Sequence, residues 1–206
     1  MPYRTLKQIR LDLQLIADLV KDNSRVLDLG CGTGDLLLKL VNEKNVRGHG
    51  VEIDVKNILS CVEKGVPVIQ ADMDAGLGDF TDNSFDYVIL SQTLQAVKKP
   101  HIILNEMLRV GQTGIVSLLN FGYWKVRSQL FWFGRMPRTK TLPYEWYNTP
   151  NIHLTTIRDF KHLCDKQKIT VKKQINLTQS RKGGILVNLF PNLFANLAIF
   201  IIENKH

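Results

Sequence analysis

Residues 26–34, VLDLGCGTG, set a short apolar run against three glycines at alternate positions, and a helical pattern begins directly behind them. A second β-rich run, VRGHGVEID, follows that helix and ends in acids. Strand, glycine loop, helix and strand in this order require a crossover connection, which is right-handed in nearly all proteins and lays two strands parallel. The alternation continues with a helix near 55–63, a strand in VPVIQAD, a strand FDYVIL, a helix over 100–109 and a strand GIVSLLNF. Pro100 suits a first helical turn, where its missing N–H has no partner to lose. β-runs alternating with helices predict an α/β fold built on a doubly wound, mostly parallel sheet.

The flanks read differently. Leu6, Ile9, Leu13, Ile16, Ala17 and Val20 recur at helical spacing and KDNS ends the segment, so residues 1–22 form a leading amphipathic helix around which the core, 25–121, begins. Residues 122–154 are rich in aromatics, Arg and Pro and show no clean period, which marks an insertion. In 155–206, Thr156 caps a helix with Asp159 in its first turn, and ITVKKQINLT and NLAIFIIE are two closing strands of a terminal hairpin. A chain of 206 residues is the size of one domain.

Charge is polarised along the chain. Residues 1–97 carry 10 Lys and Arg against 14 Asp and Glu, a net −4, while 98–206 carry 17 against 5, a net +12. A basic half attracts nucleic acid, an anionic membrane or an acidic protein surface alike. No nucleic-acid motif accompanies the charge, so no specific nucleic acid is expected. The run ILVNLFPNLFANLAIFII is divided by Asn188, Pro191, Asn192 and Asn196 into strand-sized pieces, so no membrane partner is expected either. The N-terminal stretch lacks the uninterrupted apolar core of a secretory signal. Three cysteines, Cys31, Cys61 and Cys164, are odd in number and have no CxxC spacing, which suits thiols in a reducing cytoplasm.

In DLGCGTG the glycines are Gly30, Gly32 and Gly34, a GxGxG spacing, and Asp35 stands where a dinucleotide fingerprint has its third glycine. A carboxylate at the mouth of the helix repels a pyrophosphate, so a dinucleotide is disfavoured. Asp28, two residues before Gly30, can accept from loop amides or attract an ammonium group. Glu52 ends the second strand 24 residues after Asp28, where a neighbouring parallel strand delivers a carboxylate able to accept both hydroxyls of a ribose. Asp54 competes for that role but is better placed to cap the next helix. Asp72 closes the third strand, positioned to accept from an adenine amino group while Met73 packs on the ring, and the nearby Asp74, Asp79 and Asp82 read as loop-solvating acids. Cys31, Ile53 and Ser91, which flank these positions, complete the expected cofactor-binding set.

VLDLGCGTG, GVEID, QAD and NSFDYVIL together resemble the class I S-adenosylmethionine-dependent methyltransferases over essentially the whole chain. That resemblance implies a seven-stranded sheet with an antiparallel last strand and S-adenosylmethionine or S-adenosylhomocysteine as cofactor. LSQTLQAV, NFGYWKVR, GRMPRTKTLPYEWYNTPNIHLTTIRDF and NLFANLAIF are similar to the MetW methionine-biosynthesis family. This narrower resemblance implies a partner that supports homoserine O-acyltransferase, an O-acetyltransferase or O-succinyltransferase. A stand-alone methyltransferase acting on a small molecule is the alternative. No catalytic residue is assigned, because a sulfonium is already a good leaving group and its use needs alignment more than a base. No Asn-Pro-Pro-Tyr-like segment follows the fourth strand, where LSQT stands, which removes the amino-methylating nucleic-acid enzymes. Tyr123, Trp124, Arg127, Arg135, Tyr144, Trp146, Tyr147 and His153 in the insertion form the expected partner or substrate face, since aromatic and Arg enrichment is that of an interface core.

Overall fold

The computed structural model describes residues 11–139, 141–178 and 181–205. Leu6 and Ile9 of the expected leading helix lie outside the described residues, and helix α1 runs over Leu11–Leu19. Strand β1 (Arg25–Leu29), α2 (Asp35–Lys44), β2 (Arg47–Glu52), α3 (Val55–Glu63), β3 (Val68–Gln70), β4 (Phe85–Ser91), α4 (Pro100–Val110) and β5 (Gly111–Leu119) follow in the expected alternation. Beyond them lie α5 (Trp124–Phe133), α6 (Ile157–Lys166), β6 (Ile169–Thr178), β7 (Arg181–Lys182), α7 (Ile185–Leu189), α8 (Pro191–Phe194) and β8 (Leu197–Asn204).

The sheet order is β3-β2-β1-β4-β5-β8-β6-β7. Seven strands make the body and β7 adds only two residues at the edge. Strands β1 to β5 pair in parallel, and β8 enters between β5 and β6 antiparallel to both. Alternate residues feed two separate cores. Val88 and Leu90, Val116 and Leu118, and Ala198, Phe200 and Ile202 face one layer with α4 and α6. Ile89, Ile115 and Ile199 face the other with α1 and α2. Burial on both faces is why these strands read as continuous apolar runs.

Local signals act where they stand in the chain. Asp54 Oδ1 accepts from the Asn57 amide at 3.1 Å and caps α3. Thr156 and Asp159 form a reciprocal capping box at the start of α6. Pro100 opens α4.

Two expectations change. The insertion contains a helix, α5, whose period is hidden because only Val126 of its ten residues is buried. No apolar stripe is needed where no core lies beneath. The closing strands pair antiparallel but are not joined by a tight turn, and residues 185–189 and 191–194, expected as strand-sized pieces, are helices α7 and α8. Pro191 presets the first turn of α8 and has no N–H to give a sheet ladder.

Candidate functional site

The carboxyl ends of β1, β2, β3 and β4 lie along one edge, since Leu29 pairs with Val51 and Glu52 with Gln70. Strand order reverses between β1 and β4, and a crevice at such a point is the usual ligand site of an open α/β sheet. A cavity of about 1220 Å³ opens there.

The three loop glycines have three different reasons to be glycine. All have positive φ, at 70°, 55° and 75° for Gly30, Gly32 and Gly34. A Cβ on Gly30 would fall 2.6 Å from Thr93 Cγ2, so this glycine admits the loop after β4. A Cβ on Gly34 would fall 3.0 Å from Cys61 Sγ, so this one packs α2 against α3. Only Gly32 has nothing within 4 Å of its missing Cβ, which leaves an open cradle over the backbone on the cavity wall. Gly30 and Gly32 line the cavity; Gly34 does not.

Glu52 is buried and lines the cavity. Its Oε2 accepts from the Gly32 amide at 2.8 Å, and its Oε1 from the Ile53 and Asp54 amides at 2.8 and 3.0 Å. The carboxylate therefore stiffens the glycine loop while facing the crevice; Oε1 is filled by its two amides, and Oε2, with one donor, retains capacity for a hydroxyl. Asp72 and Met73 line the same wall below β3, with Asp72 Oδ1 accepting from the Asp74 amide at 2.9 Å. Ile53 and Ser91 also line it.

Asp28 is buried beneath the loop, outside the cavity lining. The Cys31 side chain turns away from the cavity, packed under Gly50, whose added Cβ would meet its Sγ at 2.4 Å, and 4.0 Å from Cys61 Sγ. Burial and nearby Asp28 push its thiol well above the ordinary range, which keeps it protonated and inert.

The insertion divides its residues between two surfaces. Tyr144, with Thr141, Pro143, Pro150 and Asn151, lines the cavity. Trp146 and Tyr147 point outward at 72% and 70% exposure, and Phe131, Trp132 and Phe133 of α5 are exposed at 78%, 74% and 73%. Phe133, Arg135 and Trp146 line one shallow groove, which joins the end of α5 to the following loop. Tyr123 is half-buried with its ring 6.0 Å from that of Trp124. The Arg127 Nε donates to the Gly122 carbonyl at 2.5 Å. The His153 main-chain amide donates to Gln95 O at 3.0 Å and its ring lies outside the cavity, with Nε2 buried and without a partner among the described residues.

Gln92 stands at the end of the fourth strand, a place the sequence marks for a substrate contact, whereas several other lining residues escaped the sequence. Asp74, read as a loop acid, accepts from the Lys98 amide at 2.8 Å and lines the cavity. Asp12 and Gln92 come from positions 80 residues apart and share a 2.6 Å hydrogen bond at the wall. Gln92 has φ 57°, a left-handed conformation uncommon outside glycine. Its one sequence signal was its place after the fourth strand. Asn57 and Asn196 gave none.

Acids outnumber bases on this wall, with Asp12, Glu52, Asp72 and Asp74 against Lys98, although the chain carries a net +8. A sulfonium cofactor with a ribose and an adenine fits that chemistry: the Gly32 cradle takes bulk against the backbone and the acids face a cation.

A family described as "Methionine biosynthesis protein MetW" matches residues 10–202. The chain belongs to the MetW family. A bifunctional methionine biosynthesis protein MetXA/MetW from Rhodopirellula baltica is 34% identical over 207 residues, covering 96% of this chain and 33% of that protein, so the chain spans about a third of its relative's length. Among solved structures, a SAM-dependent methyltransferase from Thermotoga maritima, described as a possible histamine N-methyltransferase, superposes with TM-score 0.67 at 18% identity, covering 95% of this chain and 87% of that one. An S-adenosylmethionine-dependent methyltransferase from Mesorhizobium loti gives TM-score 0.67 at 14% identity, over 94% and 96% of the two chains. These likenesses establish that this MetW-family chain has the α/β fold of S-adenosylmethionine-dependent methyltransferases. No helix among its described residues is long and apolar enough to cross a membrane.

Proposed function

We propose that this chain binds S-adenosylmethionine or S-adenosylhomocysteine at the carboxyl edge of β1 to β4 and supports a homoserine O-acyltransferase as its complex partner. The observation that carries the partnership is the relative in which MetXA and MetW share one polypeptide. Fusion holds two modules at high effective concentration, the arrangement that a separate pair must reach by affinity. The exposed aromatic face of α5 and 145–147 supplies the surface for it. Five large aromatic side chains at 70% exposure or more are costly in water and match the anchors of protein interfaces. Basic charge in the same half of the chain favours an acidic partner surface.

In the cofactor site Glu52 accepts a ribose hydroxyl at Oε2, Gly32 lets the cofactor lie against the loop, and Asp72 and Met73 hold the adenine. Bound S-adenosylmethionine supplies an electrophilic methyl on a cationic sulfur. Tyr144 lines the cavity on the same loop that exposes Trp146 and Tyr147, so occupancy of the site and docking of the partner act on one short segment. Calorimetry with S-adenosylhomocysteine, alone and with the acyltransferase, tests both halves together. Linkage requires each ligand to change the other's affinity by one factor. Binding that Glu52→Ala weakens by about tenfold or more, together with a shift when the acyltransferase is added, is the expected result. Absence of a complex at micromolar concentration would overturn the partnership, and cofactor binding indifferent to Glu52→Ala would overturn the site.

A further inference from the structure

Helix α3 turns an apolar stripe outward. Val55, Leu59 and Val62 are 56%, 57% and 62% exposed, and at 3.6 residues per turn they lie within about 60° of one another around the helix. The opposite arc does the packing, with Cys61 buried and Asn57 and Ile58 half-buried. Apolar residues at i, i+4 and i+7 are what a helix presents to another helix. Of α3, only Asn57 lines the cavity, and it lies on the packed arc, so the stripe is separate from that site.

The charges beside the stripe restrict what fits it. Lys56 and Glu63 are exposed, and neither has a hydrogen-bond or ion-pair partner among the described residues. They stand on one flank of the stripe, about 20° apart around the helix and about 10 Å apart along it. Lys56 is in the first turn and Glu63 in the last, the reverse of what the helix dipole favours. Their order is therefore unfavourable within α3 and becomes favourable only against a surface of the opposite order. A second α3 turned end for end is such a surface. An acidic partner gains nothing from a face that carries one charge of each sign, and α3 belongs to the half of the sequence with a net −4.

We infer that α3 is a self-association face, on which two copies of this chain pair their α3 helices antiparallel about a two-fold axis at Leu59. Leu59 then packs on Leu59 of the second copy, Val55 on its Val62, and Lys56 pairs with its Glu63. Each off-axis contact occurs twice, as an isologous interface requires. Opposed helix dipoles favour the same arrangement. Three apolar side chains per copy and exposed ion pairs make a small contact, which places the dimer in the reversible class. The pairing needs neither the cofactor nor the acyltransferase.

Sedimentation velocity of the full chain from about 10 μM to about 1 mM tests the face. The expected result is a sedimentation coefficient that rises with concentration to that of a dimer. Leu59→Lys sets like charges together at the axis and leaves a monomer throughout, with its unfolding midpoint kept because Leu59 supports no core. Lys56→Glu and Glu63→Lys each oppose like charges and weaken the dimer about tenfold. Mixed in equal amounts, these two variants recover the parent's association, because each supplies the charges that the other lacks. Phe131→Ser with Trp132→Ser leaves the dimer unchanged. A parent that stays monomeric, a dimer that survives Leu59→Lys, a mixture that does not recover, or a dimer lost with the aromatic pair would overturn the inference. A monomeric parent whose acyltransferase binding is abolished by Leu59→Lys would overturn it too, and would assign the face to that enzyme.

Discussion

Gly30 and Gly32 look equivalent in the sequence, and the fold gives them separate tasks. Alanine at either meets a left-handed backbone, which costs about 1–2 kcal/mol for a residue with a Cβ. At Gly30 the added methyl also overlaps Thr93 at 2.6 Å, whereas at Gly32 it enters open space. Gly30→Ala is therefore expected to lower the thermal midpoint more than Gly32→Ala. Gly32→Ala is expected to abolish S-adenosylhomocysteine binding while the protein stays folded, with thermal unfolding and calorimetry on the two variants as the check. The place of Gly32 on the cavity wall was legible in the glycine loop, but the tasks of Gly30 and Gly34 were not. Thr93 and Cys61 reach them from loops and helices far along the chain, and no local spacing records that approach.

Elements are held to one another by a few polar side chains that the pattern of strands and helices does not announce. Gln95, 1% exposed, donates to Leu119 O at 3.0 Å and accepts from its amide at 2.9 Å, and its own carbonyl takes the Ile152 and His153 amides. It ties the end of the insertion to β5. Arg109 on α4 does the same for the loop after β3, donating to Leu77 O at 2.9 Å and Phe80 O at 3.0 Å. It also pairs with Glu106 at 2.8 Å and Asp82 at 2.6 Å. Arg109 holds the Glu106 carboxyl below its ordinary value of 4.5. A depressed carboxyl stabilises the folded state above that ordinary value and loses its contribution as pH falls through the folded one. Arg109→Leu removes this grip, so acid unfolding is expected to begin at higher pH. Stability at neutral pH should fall by about 1–3 kcal/mol, measured by denaturant titration across pH. Asp82 had been read as a loop-solvating acid; its partner is an arginine 27 residues later.

At the scale of the whole molecule, the insertion contributes to the cavity wall through Tyr144 and carries exposed aromatic side chains on its outer surface. Phe131→Ser with Trp132→Ser removes two side chains exposed by 78% and 74%, which support no core. The double variant is expected to keep its unfolding midpoint and its cofactor affinity while weakening the acyltransferase complex by about tenfold or more, as loss of interface anchors does. Analytical ultracentrifugation of the mixture reads this out. Raised salt should slow association of the parent protein, because a basic half steers an acidic partner through a screened field.

The sequence by itself determined the layered fold, the alternation of its elements from β1 to β5, the edge that carries the cavity and the strand-end carboxylate at Glu52, because periodicity, capping and glycine loops are local properties of the chain. It also showed that residues 122–154 were foreign to that pattern. Only the tertiary structure decided that α5 runs through them, that Tyr144 lines the cavity while Trp146 and Tyr147 are exposed, that Cys31 faces the core, and that Asp12, Gln92 and Asn196 all line one cavity. Those outcomes depend on contacts between segments far apart in the chain, as does the place of β8, the last strand, between β5 and β6.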